Sequence, residues 1–160
     1  MYKTLLFKDL PEETQEYVAE KAYNTIIKRV QWSDMMRHAK KECVLKFLKD
    51  ASEHPEYGFC VVFLTPDGLF WGVGVFSLGE CWYNDNIKAI NEELTIGFRA
   101  GFTRVMIEFM QDYCKEHDCN LITASVVNDE VSPAVTNSYL KYGFKQYNSF
   151  YKQMGEVNDG

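Results

Sequence analysis

Residues 57–78 read YGFCVVFLTPDGLFWGVGVFSL, two apolar runs separated by the sequence Thr65-Pro66-Asp67-Gly68. Both runs are rich in β-branched and aromatic residues, which pack well on a pleated sheet. Glycine at the last turn position tolerates the positive φ that a tight connection requires. The sequence therefore predicts an antiparallel hairpin with strands over 57–64 and 69–78.

The residues before this hairpin indicate one short strand and two helices. Thr4 to Phe7 predicts the strand, and Asp9 with Glu12 resembles a capping box at the start of a helix over 11–29. Ser33 can cap a second helix, which should end near Pro55 because the residue before a proline avoids helical geometry. The expected buried face of this second helix comprises Met35, Met36, Ala39, Cys43, Val44, Phe47 and Leu48.

The residues after the hairpin alternate between extended and helical patterns. Cys81 to Tyr83 could open a strand that Asn84-Asp85-Asn86 breaks, and Ile90 to Ile96 is extended again. A helical period over 103–118 precedes a buried strand over 121–127, and Ser132-Pro133 starts a short helix that stops at Gly143. One or two final strands are expected over 144–154. This order predicts an α/β fold in which a mixed sheet has helices on both faces.

Composition excludes several classes of protein. The chain has 160 residues, 46% of them hydrophobic, and a formal charge of −6. No lysine or arginine run offers a patch for nucleic acid, and no stretch approaches the roughly 20 apolar residues that span a bilayer. We therefore expect one domain over 1–160 in the cytoplasm, with a helical part over 1–56, a sheet and site over 57–154, and a tail over 155–160.

Five cysteines at scattered positions do not resemble a disulfide framework. Cys43, Cys60 and Cys81 lie in apolar surroundings and are expected to be buried as small hydrophobes. Cys114, His117 and Cys119 lack a fourth ligand, and their spacing fits no common zinc site, so no metal is expected. Gly72-x-Gly74 lies within a predicted strand, where it indicates close packing or a bulge rather than a nucleotide loop.

The segment Ser138-Tyr139-Leu140-Lys141-Tyr142-Gly143-Phe144 is similar to the end of a conserved region in the GNAT (Gcn5-related N-acetyltransferase) superfamily. The order of elements over 57–154 resembles that family as well, and residues 1–56 do so loosely. The resemblance implies antiparallel N-terminal strands with a central parallel pair of strands. It also implies an acetyl-CoA-dependent N-acetyltransferase that transfers an acetyl group to an amine by direct attack in a ternary complex.

The resemblance assigns Tyr139 as a catalytic residue. Transfer from a thioester expels a thiolate, and a nearby phenol can donate the proton that the thiolate needs. The alternative is that Tyr139 and Tyr142 only pack their helix onto the sheet.

The resemblance also assigns the coenzyme A pyrophosphate to the loop over 97–104. Gly101 takes the position of the first family glycine, Thr103 that of a small residue and Phe98 that of an arginine or glutamine, with Arg99 one residue late. Backbone amides and the following helix N-terminus would bind phosphate, with Arg99 and Arg104 neutralising charge. The full set of cofactor-binding residues is Ile96, Phe98, Arg99, Gly101, Thr103, Arg104 and Ser132. The alternative is a strand-to-helix turn with two surface arginines.

The base that accepts the amine proton would be Glu92, Glu93 or water. Both glutamates lie on the predicted fourth strand, and strand alternation would direct only one of them into the cleft. A carboxylate beside an apolar wall has a raised pKa, which suits it to act as a base. The alternative is that both are solvated.

A second class of function is a non-catalytic GNAT-like protein with a binding or structural role. The order of elements and Cys81-Trp82-Tyr83 are also similar to small GNAT-like proteins of tailed bacteriophages, some of them virion components. A virion location would follow from that likeness. An exposed aromatic strand near 144–151 would be compatible with a homodimer.

Overall fold

The computed structural model describes residues 1–28, 38–126 and 132–147. The strands are β1 (Lys3–Leu6), β2 (Gly58–Leu64), β3 (Phe70–Cys81), β4 (Asn84–Gly97) and β5 (Leu121–Thr123). The helices are α1 (Glu12–Lys28), α2 (Lys41–Asp50), α3 (Phe102–His117) and α4 (Ser132–Lys141), with a 3-10 turn over Phe7–Asp9.

The five strands form one mixed sheet in the order β1-β2-β3-β4-β5. The pairs β1–β2, β2–β3 and β3–β4 are antiparallel, and β5 runs parallel to β4. The predicted α/β fold with a mixed sheet is therefore confirmed, including a parallel pair of strands, which was expected at the centre and is the last pair in the described order. The predicted strand over 121–127 joins the sheet through Leu121–Thr123, while Val127 lies outside the described residues.

The predicted β2–β3 hairpin is confirmed. Its strands pair from Gly58 with Ser77 to Leu64 with Phe70. The connection closes through a hydrogen bond from the Thr65 amide to the Leu69 carbonyl oxygen, 2.8 Å long. Gly68 has a φ of 88° in this turn, a conformation that side chains other than glycine rarely adopt.

The start of α1 differs from the predicted capping box. Asp9 belongs to the 3-10 turn, and the amides of Thr14 and Gln15 donate to the Pro11 carbonyl oxygen. The helix therefore begins after Pro11, and Asp9 is too early to be its cap. The fully buried Phe7 ring explains the difference, because it holds the 3-10 turn against the core.

The second predicted helix is shorter and buries a narrower stripe than expected. It begins at Lys41, and Ser33, Met35 and Met36 lie outside the described residues. Leu48 is buried and Val44 half-buried, but Cys43 and Phe47 are exposed. The expected burial of Cys43 and Phe47 was wrong because α2 packs along α1 at one margin of the fold and turns only one narrow face inward.

The connection between β3 and β4 also corrects the sequence prediction. Cys81 ends β3 half-buried, Trp82 and Tyr83 form the turn, and the asparagine-rich segment 84–86 begins β4 instead of breaking a strand. The Asn120 side chain accepts a hydrogen bond from the Lys88 amide at 2.9 Å and donates to the Asn86 carbonyl oxygen at 3.3 Å. Asn120 thus supplies the edge of β4 with partners that a strand signal in the sequence does not reveal.

The C-terminal part is described to residue 147. Residues 144–147 are not a strand, so the expected strand over 144–154 does not begin at Phe144. Residues 148–154, which include most of the aromatic segment near 144–151, lie outside the described residues.

Two hydrophobic cores lie on opposite faces of the sheet, as predicted. The face under α1 and α2 buries Phe7, Val18, Ala22, Leu48, Cys60, Val62, Val73 and Ile96. The face under α3 and α4 buries Phe63, Phe76, Ile90, Phe102, Met106, Met110 and Tyr139. The predicted burial of Cys60 is confirmed.

The start of α3 is fixed to the sheet by the ring of Phe102. Gly72 and Gly97 are partners across β3 and β4, and the ring lies over both. A Cβ at Gly72 would lie 2.6 Å from Cδ2 of Phe102, and one at Gly97 would lie 2.9 Å from its Cβ. The predicted close packing at Gly72-x-Gly74 is therefore confirmed.

Gly72→Ala should lower the free energy of unfolding by about 1–3 kcal/mol, the usual cost of overpacking a core. The matched control is Gly79→Ala in the same strand, because a Cβ there meets no atom within 4 Å. Urea denaturation should show the control to be as stable as the parent chain or slightly more stable. Equal stability of the two variants would contradict the role given to Phe102.

Candidate active site

The candidate site lies where β4 and β5 separate. Their ladder has three pairs, from Ala89 with Leu121 to Asn91 with Thr123. Beyond it, β4 continues to Gly97 without a described partner strand on this side. The register between β3 and β4 shifts at Val75/Phe76, which leaves Glu93 as the extra residue of a bulge. Glu92 and Glu93 point to opposite faces because successive side chains of a strand alternate, and the bulge puts Thr95 on the same face as Glu92.

Glu92 bridges the gap between the two strands. Its side chain is 8% exposed, and its two oxygens accept hydrogen bonds of 3.0 Å from the Thr95 hydroxyl and the Ser125 amide. Burial raises the pKa of Glu92, the two hydrogen bonds oppose that shift, and the charge of Glu93 adds to it. Glu92 is therefore a buried carboxyl with polar partners on both strands.

Glu93 lies on the opposite face and is exposed. Its carboxylate accepts a hydrogen bond from Ser77, and the Ser77 oxygen accepts one from the Asn91 amide at 3.3 Å. Thr123 donates to Asn91 at 2.6 Å. A chain of hydrogen bonds thus runs from Thr123 on β5 through Asn91 on β4 and Ser77 on β3 to Glu93. These bonds fix the Glu93 carboxylate on the face of the sheet that α1 and α2 cover.

Tyr139 reaches the same gap from α4. It is 6% exposed, and its hydroxyl donates to the Met106 sulfur at 3.8 Å. Burial raises the pKa of Tyr139, and the Glu92 carboxylate raises it further. A buried phenol usually has a stronger partner than a thioether, so the fold gains little from this hydroxyl.

The end of α4 explains the Tyr-x-x-x-Gly-Phe spacing. The Phe144 amide donates to the Tyr139 carbonyl oxygen at 3.2 Å, and the Gly143 amide donates to that of Leu140 at 3.1 Å. Gly143 has a φ of 85°, so the pattern is a Schellman motif with glycine at the left-handed position. The rings of Tyr139 and Phe144 then meet with centroids 5.0 Å apart. This motif holds the phenol in one orientation.

The loop after β4 is anchored to the start of β3. The Phe98 amide donates to the Trp71 carbonyl oxygen at 2.8 Å, and the Trp71 indole donates to that of Ala100 at 2.9 Å. Arg99 donates to the Phe70 carbonyl oxygen at 3.2 Å. These bonds fix the approach to α3.

The N-terminus of α3 is suited to bind an anion. Gly101 is its N-cap with a φ of 83°, no side chain caps the helix, and its first turn contains no acidic residue. The first amides of a helix point outward with the positive end of its dipole. Thr103 is half-buried, and the exposed Arg104 donates to Glu108 at 2.8 Å.

The other residues assigned to the cofactor lie as follows. Ile96 is fully buried in the core beneath α1 and α2, and Phe98 packs against the same core with the Lys21 ammonium 5.4 Å from its ring centroid. These two side chains therefore face α1 rather than the N-terminus of α3. Ser132 opens α4, and its side chain lies outside what the structure describes.

The structure thus places Glu92 near enough to Tyr139 for its charge to raise the Tyr139 pKa, and it places Glu93 on the other face. Thr95, Ser125 and Met106 complete the surroundings of the gap, and the sequence prediction missed all three. In a regular strand, Thr95 and Glu92 would lie on opposite faces. The bulge at Glu93 puts them on the same face, and no residue in the sequence indicates that bulge.

Within the described residues, the structure indicates neither a metal site nor a membrane-spanning helix. His117 stacks on Tyr113 with ring centroids 4.0 Å apart, and no group of three or more His, Cys, Asp or Glu side chains in residues 1–28, 38–126 and 132–147 could hold a metal. None of the helices in those ranges is long and apolar enough to cross a membrane.

No protein-family model and no curated protein matches this sequence. Solved structures do match. A GNAT family acetyltransferase from Staphylococcus aureus is 12% identical with a TM-score of 0.60, over 96% of this chain and 98% of that chain. A transcriptional regulator from Bacillus halodurans is 12% identical with a TM-score of 0.69, over 97% and 100%. A structure named as a predicted acetyltransferase with acetyl-CoA, from Clostridium acetobutylicum, is 10% identical with a TM-score of 0.59, over 96% and 94%.

These comparisons show the fold. The chain has the mixed sheet and flanking helices of GNAT acetyltransferases, as the segment around Tyr139 implied. At 10–12% identity, the matched structures carry no substrate or mechanism over to this chain.

The pKa of Glu92 gives a pH-dependent prediction. An acid whose pKa is raised by folding stabilises the fold at low pH, and this contribution is lost as pH rises from the unfolded value of about 4.3 through the folded value. Glu92→Gln cannot titrate. Its free energy of unfolding, measured with urea at several pH values, should therefore rise relative to that of the parent chain across this window and then run parallel. A difference that is independent of pH would contradict the shift.

Proposed function

We propose that the chain is an acetyl-CoA-dependent N-acetyltransferase that transfers an acetyl group to an amine by direct attack. One observation carries the proposal: the Tyr139 hydroxyl is buried at the gap between β4 and β5, with a thioether as its hydrogen-bond partner. Such a group is costly to bury and contributes little to the fold, which favours a chemical role.

The proposed cofactor fits the loop and the gap together. The amides at the N-terminus of α3 and the guanidinium groups of Arg99 and Arg104 would hold the pyrophosphate. From Gly97 to Glu92 the strand extends roughly 15 Å, at about 3.3 Å per residue. An extended ligand with its anion at Gly101 would thus place its reacting end beside Glu92 and Tyr139. The similar fold from Clostridium acetobutylicum is named with acetyl-CoA, which supports this choice.

The two faces of the gap suggest the roles of the side chains. A thioester in the gap would have Tyr139 on the side of α3 and α4 and Glu93 on the side of α1 and α2. The amine nitrogen attacks the thioester carbon, the carbon–sulfur bond breaks, and the departing thiolate takes the proton of Tyr139. The proton of the amine passes to Glu93 or to water. We assign the base to Glu93 rather than Glu92 because an amine from solvent can reach an exposed carboxylate.

The alternative function is a non-catalytic GNAT-like binding or structural protein, including a virion component. Two features of the loop favour it: Phe98 turns toward α1, and Glu108 already pairs with Arg104. Binding of acetyl-CoA separates this alternative from the enzyme, and the amine acceptor remains to be identified in either case.

Acetyl-CoA should bind the parent chain in a calorimetric titration, and Gly101→Ala should weaken that binding by at least about tenfold, because it disturbs the amides that hold phosphate. Gly68→Ala is the matched control. Its glycine has nearly the same φ, so both variants should lose about 1–2 kcal/mol of stability from left-handed strain. Only the Gly101 variant should lose affinity. A parent chain that binds no acetyl-CoA at millimolar concentration would sink the enzyme and favour the non-catalytic protein.

Tyr139→Phe should lower turnover by about 10²–10⁴, the usual contribution of a positioned proton donor. Turnover is measured as thiol released from acetyl-CoA, with water or a panel of primary amines as acceptor. Melting temperature and cofactor affinity should barely change, because the lost partner is a thioether. Tyr142→Phe, at the residue directly after the same helix, is the control, since its hydroxyl donates to Glu108 at 3.2 Å. Unchanged turnover with lowered stability would assign Tyr139 to the core.

A further inference from the structure

The reaction proposed above leaves one buried ionisable group without a role. Glu92 is 8% exposed, yet it raises the pKa of Tyr139 and joins β4 to the segment that follows β5. A carboxyl buried only to stabilise the sheet would be a poor choice, since an apolar side chain of similar volume serves as well or better.

Glu92 closes the gap at its narrow end. The hydrogen bond from the Ser125 amide to Glu92 joins β4 to the segment after β5, just beyond the last ladder pair, Asn91 with Thr123. The charge of Glu92 also raises the pKa of Tyr139, whose hydroxyl donates to Met106 on α3. A ligand that inserts between β4 and the segment after β5 at this level must therefore break the bond to Ser125.

Breaking the bond changes the charge that Glu92 can carry. The groups that interact with the carboxyl are Tyr139 from α4, Glu93 and Thr95 from β4, and Ser125 beyond β5, and none of them is a cation. Ser125 supports the charged carboxyl through both its amide and its hydroxyl, so with Ser125 moved away and the ligand excluding water, only the Thr95 hydroxyl would remain as a donor. A buried carboxylate with so little support takes up a proton instead of remaining charged.

We propose that Glu92 is a proton-linked latch of the thioester site: it holds the gap closed through Ser125, and it takes up one proton from solvent when an acyl thioester opens the gap. This inference rests on the proposed function, because it assumes that acetyl-CoA binds there. In this proposal Glu92 is a positioning residue that controls the entry of the thioester into the gap. Tyr139 remains the proton donor, and Glu93 or water remains the base.

The latch predicts that binding and protonation are coupled. Affinity for acetyl-CoA should fall as pH rises, by up to about tenfold per pH unit for one linked proton. Glu92→Gln is neutral at every pH and keeps the shape of the side chain. It should bind about tenfold more tightly than the parent chain at about pH 8, the factor expected from losing one charge-assisted hydrogen bond.

Calorimetric titration of acetyl-CoA in buffers of different ionisation enthalpy counts the protons taken up. The parent chain should take up about one proton more than Glu92→Gln, and titration of the ligand's own phosphates cancels in this difference. Glu80→Gln removes an exposed carboxylate on β3 and should behave like the parent chain. If Glu92→Gln fails to fold, Ser125→Pro removes the amide hydrogen at the other end of the latch and should also tighten binding.

Equal proton uptake by the parent chain and Glu92→Gln, with acetyl-CoA bound by both, overturns the latch and leaves the proposed function intact. No binding of acetyl-CoA to the parent chain at millimolar concentration overturns the proposed function itself.

Discussion

The contact of the Phe102 ring with two paired glycines organises this molecule. Because Gly72 and Gly97 have no side chains, the ring approaches the backbone of β3 and β4 and brings the first turn of α3 onto the sheet. Met106 lies one turn further along that helix and meets the Tyr139 hydroxyl. The depth of one aromatic ring thus sets the positions of the loop over 97–101 and of the phenol together.

The same sheet changes character at the site. Up to β4 it is an antiparallel meander with continuous pairing, whereas the parallel contact with β5 lasts for three pairs. Where the backbone ladder between β4 and β5 stops, hydrogen bonds of side chains connect the two segments. The residues that make these bonds differ between the two faces of the sheet. On one face Glu92 replaces the missing backbone partner of Ser125, and on the other a series of hydroxyl and amide groups leads to Glu93.

The sequence predicted those parts of the fold whose causes are local. The turn at Gly68 and the end of α4 at Gly143 each depend on a glycine with positive φ, and both were found as expected. The segment 84–86 was misread, because Asn84 pairs with Cys81 across a turn of Trp82 and Tyr83, which are not usual turn residues. The Asn86 carbonyl oxygen also accepts a hydrogen bond from Asn120, more than 30 residues away. The bulge at Glu93 follows from register with β3, so the sequence alone could not show that Thr95 shares a face with Glu92.

The anchored loop also makes the protein report on its own site by fluorescence. The Trp71 indole bonds to Ala100 and lies 3.5 Å from the position of a Cβ at Gly101, so a phosphate bound there would change its surroundings. Trp82, at the tip of the β3–β4 hairpin, is 94% exposed and emits from water whatever the loop binds. In a Trp32→Phe variant, which removes the third tryptophan, a red-shifted, constant emission from Trp82 would therefore serve as an internal reference for a ligand-sensitive signal from Trp71.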